Sequence, residues 1–166
     1  MNAIFKRRSI RKYTGEKVSE ELLKKLLEAA MAAPSAGNQQ VWEFIVVRDR
    51  KVLEDITKVH PYAQMLKEAG AAIVVCADIS REKYKNYWVQ DCAAATENIL
   101  IEAEYLGLGA VWLGVHPVEE RVRGIKDLFK LPKDVYPLSI ISIGHPAEKK
   151  EPANRFDENK IHYDRW

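Results

Sequence analysis

Apolar and polar positions alternate along this chain in blocks whose period switches between helix-like and strand-like. Leu22, Leu23, Leu26, Leu27 and Ala30 recur at helical spacing and predict a helix from Ser19 to Ala33, ended by Pro34. Ser19 is placed to cap it, Glu20 and Glu21 suit the positive end of its dipole, and Val18 can staple to Leu23. Trp42 to Val47 reads as a strand closed by Arg48-Asp49-Arg50, followed by a short helix from Lys51 to Val59 and another from Tyr62 to Ala69. Ala71 to Ala77 is apolar without a break, which predicts a strand covered on both faces and therefore a sheet with helices on both sides.

The longest helix begins at Lys83 or Tyr87 and runs to Leu106, with Val89, Cys92, Thr96, Ile99 and Ala103 on one side. Ala93, Ala94 and Ala95 give it a second, smooth face that lets another helix approach closely, at the domain centre or at a subunit interface. Gly107 stops it. Ala110 to Val115 is a third strand, Glu119 to Lys130 an amphipathic helix, and Pro132 and Pro137 bracket the connection to a fourth strand, Leu138 to Ile143. Glu148 to Lys160 is charged and poor in apolar residues, after which Ile161 to Trp166 regains strand-like alternation. Residues 1–166 thus read as a single domain, with 147–166 a tail expected to dock elsewhere, such as on a partner's sheet edge.

Composition agrees with one core: the chain has 166 residues, 47% hydrophobic and 30% charged. Its 26 basic residues are nearly balanced by 24 acidic ones, and a net charge of +2 excludes a generalised nucleic-acid surface. No apolar run approaches the ~20 residues that a bilayer span needs, and the N-terminal segment lacks an apolar signal core. The expectation is a soluble, cytoplasmic protein with no membrane partner. Cys76 and Cys92 sit in apolar or alanine-rich runs without a CxxC or a histidine partner, and read as reduced core residues. His60, His116, His145 and His162 are each followed by Pro or Tyr and read as turn or surface residues; no metal site, GxSxG or Walker glycine run is present.

Two stretches carry candidate chemistry. Lys6-Arg7-Arg8-Ser9-Ile10-Arg11-Lys12-Tyr13 places five cations and a hydroxyl beside two apolar residues, Ile10 and Tyr13, that can pin the segment to a domain. Arginine forks suit bidentate phosphate contact and Ser9 can complete the shell; the alternative is a solvated basic segment. Pro34-Ser35-Ala36-Gly37-Asn38-Gln39-Gln40 is a small-residue, amide-rich loop that would let a ligand approach the backbone and would offer donors and acceptors to a heterocycle edge. The alternative is an ordinary helix-to-strand turn.

These stretches, together with Gly107-Leu108-Gly109-Ala110-Val111-Trp112-Leu113-Gly114, Gly144-His145-Pro146 and Arg155, resemble the FMN-dependent nitroreductase family in order and spacing over essentially the whole chain. The resemblance implies an α+β fold, a central mixed sheet of four or five strands flanked by helices, and an intertwined homodimer with FMN at the interface. It implies that Arg7, Arg8 and Ser9 hold the FMN phosphate and ribityl chain, while Arg11 lies toward the pyrimidine edge as electrostatic support and the flavin N5 carries the chemistry. Pro34, Ser35, Ala36 and Asn38 would come from the second subunit, Leu113 and Gly114 would lie near the reactive ring, and Arg155 would return to the phosphate. Two positions depart from the family: Val41 stands where a proline is frequent, and Gln64 is the nearest polar substitute for the residues that usually meet the pyrimidine edge. The activity implied is ping-pong hydride transfer from NAD(P)H through FMN to a small-molecule oxidant such as a nitroaromatic, a quinone or a flavin. The alternatives are a reductive dehalogenase or flavin-fragmenting relative on the same fold, or a non-enzymatic module that binds phosphate ligands.

Overall fold

The computed structural model of the chain describes residues 2–166. Its helices are α1 (Ala3–Lys6), α2 (Glu20–Met31), α3 (Arg50–Val59), α4 (Trp88–Tyr105) and α5 (Glu119–Phe129), and its strands β1 (Trp42–Val47), β2 (Ala71–Asp78), β3 (Gly109–Gly114) and β4 (Val135–Gly144). The strands form one sheet in the order β1-β2-β4-β3, with every named pair antiparallel. The parallel component anticipated by the mixed sheet is confined, among the described residues, to an isolated bridge between Ser9 and Ala110.

Strand β2 sits between two neighbours and is buried along Ala71 to Ala77, as its unbroken apolar run predicts. Its side chains alternate between two cores. Ala71, Ile73, Val75 and Ala77 face the layer of α2 and α4, while Ala72, Val74 and Cys76 face the layer of α3 and α5. Burial from apolar surroundings pushes the Cys76 thiol up to about 12, so it stays protonated, as a core residue should. Helix α2 begins as expected: Ser19 Oγ accepts from the Leu22 amide at 3.3 Å, and Val18 and Leu23 lie in the same core. It leans on α4, where Asn98 Nδ2 donates to the Ala29 carbonyl at 2.9 Å.

Three boundaries differ from the periodicity. Tyr62 to Ala69 forms only a 3-10 turn, Gln64–Lys67, whose last carbonyls are capped from outside: Arg50 Nη1 donates to Leu66 and Lys67 at 2.8 Å and Nη2 to Ala69 at 2.6 Å. Helix α4 starts only at Trp88, since Asn86 takes a left-handed φ of 69° and Glu82 Oε1 accepts the Trp88 amide at 3.1 Å. Strand β4 starts before Pro137 instead of after it. That proline falls where β4 pairs with β2 alone, and Leu138 is an extra residue between the Val75–Ser139 and Cys76–Pro137 pairs. The carbonyl of Leu138 accepts from both Val115 and His116, so the bulge bends the chain leaving β3.

Ile99 lies fully buried on the sheet-facing side of α4. Truncating it to Ala is expected to lower stability by about 2–5 kcal/mol through lost burial and residual cavity, measured as a shifted urea midpoint with unchanged slope.

Candidate functional site

The basic segment is pinned along the free edge of β3. Ile10 N donates to the Ala110 carbonyl at 3.0 Å, and Tyr13 forms an antiparallel bridge with Pro146. Ile10 and Tyr13 are buried, and the Tyr13 hydroxyl donates to the Ile10 carbonyl at 2.8 Å. Burial drives the Tyr13 phenol upward, which keeps it neutral. The segment is held on its other side too, with Thr14 N donating to His145 O at 3.0 Å and Ala147 N to Lys12 O at 2.9 Å. Around these anchors Arg11 is exposed, while Arg7 and Arg8 are half-buried.

Each arginine meets a different environment. Arg7 Nε lies 3.2 Å from Glu97 on α4. Arg8 opens on a cavity of about 500 Å³ with Lys6, Lys149, Lys150 and Glu148 around it, and its Nε is buried without a partner among the described residues. Arg11 keeps its backbone engaged, since its amide donates to Glu148 Oε1 at 2.6 Å. That bond holds the Glu148 carboxyl below the ordinary carboxylate range, with Lys150 adding to it and partial burial opposing. Lys150 Nζ also donates to the Ser9 carbonyl at 2.7 Å, so the start of the tail is stitched onto the basic segment.

The Arg11 side chain borders a second, open cavity of about 410 Å³. Gln64, Leu113 and Gly114 line it with Arg11, and His60, Tyr62 and Trp112 complete the wall. One wall is backbone. Val115 N donates to Leu138 O, so in this antiparallel register Leu113 faces β4 while Trp112 and Gly114 direct their polar groups to the open side. The Gly114 carbonyl is met there by His60 and Arg121; the Trp112 and Gly114 amides are directed to the same side. A Cβ built on Gly114 would meet no atom within 4 Å, so nothing within the chain requires a glycine at this position. Gln64, on the cavity wall, has its amide engaged 3.3 Å from the Thr57 carbonyl.

The small-residue loop lies elsewhere. Asp91, buried in the first turn of α4, accepts from the Ala36 amide at 2.9 Å and from Gln39 Nε2 at 2.7 Å. Gln39 Oε1 accepts from the Lys83 and Tyr84 amides, both at 3.0 Å, which fixes its orientation. Ser35 Oγ accepts from the Gln40 amide at 3.0 Å, and Gly37, Asn38 and Gln40 all adopt left-handed φ, at 51°, 56° and 48°. Pro34, Ser35, Ala36 and Asn38 are thus one preset unit. Asp91 and Glu97 are six residues apart on α4, about 9 Å in rise and about 120° in azimuth. The loop and Arg7 accordingly meet different sides of the same helix. Arg155 lies in the exposed tail and borders neither cavity, and residues 161–166 form no strand in the chain.

His60 opens a turn, its carbonyl accepting from the Ala63 amide at 3.1 Å, but it does not lie at the surface. It is 1% exposed, with Nε2 2.9 Å from the Gly114 carbonyl and Nδ1 accepting the Tyr62 amide at 3.3 Å. His60, Asp91 and Arg50 carry no local sequence signal, because each acts on backbone groups brought close only by the fold. Among the described residues no helix is long and apolar enough to cross a membrane.

The sequence model of the nitroreductase family matches residues 4–63 and 58–145. A protein of Methanothermobacter thermautotrophicus, provisionally named NADH dehydrogenase/NAD(P)H nitroreductase, is 52% identical over all of this chain and 87% of its own length. The Bacillus subtilis FMN reductase [NAD(P)H] is 30% identical over 98% of this chain and 74% of its own. Among solved structures, the FMN-dependent nitroreductase of Clostridium difficile R20291 superposes with a TM-score of 0.92 at 34% identity, covering 99% of each chain. A provisionally named nitroreductase of Desulfovibrio desulfuricans, solved in complex with FMN, gives 0.85 at 31% identity over 99% of this chain and 95% of that one.

Asp91→Asn tests the loop anchor. An amide at this position would set an NH2 against the Gln39 NH2, and flipping Gln39 would strip the Lys83 and Tyr84 amides of their acceptor. Stability is expected to drop by about 1–3 kcal/mol, read by chemical denaturation, with earlier proteolytic nicking between residues 34 and 40.

Proposed function

Because the chain belongs to the nitroreductase family, we propose that it is an FMN-dependent NAD(P)H oxidoreductase passing hydride to nitroaromatics, quinones or free flavins. The observation that carries this reading is the cavity beside β3, where Arg11 faces the outward backbone of Trp112 to Gly114 and a glycine leaves its side-chain space open. Those features fit the edge of a planar heterocycle. Arg8, with its buried and unpartnered Nε, fits the anionic end of the same molecule, together with Arg7 and Ser9. Bound FMN would supply the hydride chemistry.

The chain's own residues have defined tasks in this reading. Arg11 supplies a cation where negative charge develops at the pyrimidine end, and the bond of its backbone amide to Glu148 fixes the main chain from which the side chain extends. The Gly114 backbone allows close approach. Gln64 would have to release Thr57 to reach the ring, so its contribution is weaker than that of Arg11. The cavity is open, and hydride donor and acceptor would use it in turn, a ping-pong sequence.

A second copy of the chain would complete the site with Pro34, Ser35, Ala36 and Asn38. What supports a homodimer is that this loop is preset yet held on a different side of α4 from the basic segment. The exposed Phe5, Tyr105, Phe156 and Trp166 further support it, since large apolar side chains left on a surface suit a partner. The tail from residue 147, with Arg155, would cross to that partner.

Three measurements test the proposal. Purified protein should bind FMN, with visible absorbance bleached anaerobically by NADH or NADPH; protein that takes up no added FMN defeats it. Arg11→Ala should weaken FMN binding by roughly ten- to a hundredfold and slow reduction, as expected for a lost charge-assisted contact. Gly114→Ala should leave the melting temperature of the flavin-free protein nearly unchanged, since the new methyl meets no neighbour. The same methyl should weaken FMN binding by about 1–3 kcal/mol through overpacking. An alanine variant that binds FMN as tightly as the parent removes Gly114 from the site.

A further inference from the structure

One carbonyl at the end of β3 is held by more than its position requires. Gly114 O lies 2.9 Å from His60 Nε2 and 2.9 Å from Arg121 Nη1, so both of its lone pairs are engaged. A carbonyl on a strand edge can be satisfied by water alone. Here a buried ring from the end of α3 and a cation from α5 are both brought to it. The two donors are themselves linked, since the Arg121 guanidinium lies over the Tyr62 ring at 5.3 Å and the Tyr62 amide donates to His60 Nδ1.

That last bond sets the tautomer. A neutral imidazole has one donor and one acceptor nitrogen; with Nδ1 accepting, the proton sits on Nε2 and His60 donates to Gly114. The environment favours the neutral ring: burial holds the His60 pKa below the ordinary imidazole value, against the Gly114 bond, with Arg121 pushing it further down.

The consequence for Gly114 is directional. The N–H and C=O of a strand residue leave on the same side as long as the residue stays extended, so holding the carbonyl's peptide plane favours the Gly114 conformation that aims the amide into the Arg11 cavity. The effect is not inductive. The Gly114 carbonyl belongs to the peptide unit of the Val115 amide, which is already bonded to Leu138, and polarising it leaves the Gly114 amide unchanged.

We infer that His60 is a positioning residue which, with Arg121, holds the Gly114 peptide so that its amide meets the edge of a bound flavin in one orientation. This rests on the flavin reading of the cavity, and deepens it by assigning a residue that the basic segment and the small-residue loop do not include.

The test uses full-length protein loaded with FMN and two readouts that need no oxidant: the FMN dissociation constant and the flavin midpoint potential. His60→Ala removes the donor, His60→Gln keeps a side-chain NH2 at a reach similar to Nε2, and Arg121→Met keeps the stem but drops the second donor. His60→Ala should change the ratio of affinities for oxidised and reduced FMN by roughly three- to tenfold, seen as a moved potential, and His60→Gln should restore most of it. The His60→Ala, Arg121→Met double variant should fall short of the sum of the singles, because both act on one oxygen. A lowered melting temperature with unchanged potential and dissociation constant in His60→Ala would show a merely structural residue and overturn the inference. Should that variant not fold, Arg121→Met decides alone: a moved potential supports the inference and an unmoved one overturns it. Wild-type protein that binds no FMN would overturn the flavin reading itself, which separates that failure from a failure of His60.

Discussion

The free edge of β3 is the constraint on which the rest of this molecule depends. A strand at the end of an antiparallel sheet directs the backbone of every second residue away from its neighbour, and those groups must be met by something. In β3 they belong to Ala110, Trp112 and Gly114. The basic segment takes the first, through Ile10. His60 and Arg121 take the carbonyl of the last. Between these two fastenings lies the cavity that Arg11 borders. The cations sit where they do because Ile10 covers the start of the β3 edge and Tyr13 is held at Pro146, and the opening exists because the covering of β3 stops after Ile10.

The rest of the fold keeps that edge open and correctly aimed. The Leu138 bulge engages both Val115 and His116, which turns the chain away from the sheet directly after Gly114. The ends of α3 and α5 are thereby free to reach the Gly114 carbonyl. On the opposite face α4 serves as a common beam: Glu97 meets Arg7, Asn98 ties down α2, and Asp91 sets the loop after α2. Two groups of candidate site residues far apart in sequence are positioned by one helix, on different sides of it. That arrangement explains why the small-residue loop is rigid in a single chain yet does not reach the cavity of that same chain.

What could be read in advance divides along physical lines. The apolar repeats of α2, α4 and α5 and the unbroken run of β2 were legible because burial imposes a period on the chain itself. The basic segment and the small-residue loop were legible because their unusual composition is contiguous. Arg50, His60, Asp91 and Arg121 were not, because each is a polar residue of surface-like type whose partners lie seven to fifty-five positions away. Arg50 caps the single 3-10 turn that stands where a helix is expected, donating to the carbonyls of Leu66, Lys67 and Ala69. Of the four histidines only His60 is buried, and burial is not encoded by a following proline, which His116 and His145 also have.

The two glycines that end β3 show how a site can be separated from its scaffold. At Gly109 a Cβ would stand 2.6 Å from Ile10 Cγ2, so that glycine is required by the chain's own packing of the basic segment against the strand. At Gly114 a Cβ would meet nothing within 4 Å, and the residue's φ is not one that favours glycine. Glycine in a strand interior costs about 0.5–1 kcal/mol relative to alanine through lost backbone entropy and packing. A glycine that the fold itself does not require leaves room for a close approach from outside, which the proposed flavin would use. The open space at Gly114 lies beside Arg11 and against a carbonyl held by two donors, so the same six residues of sequence serve packing at one end and, in the proposed reading, recognition at the other.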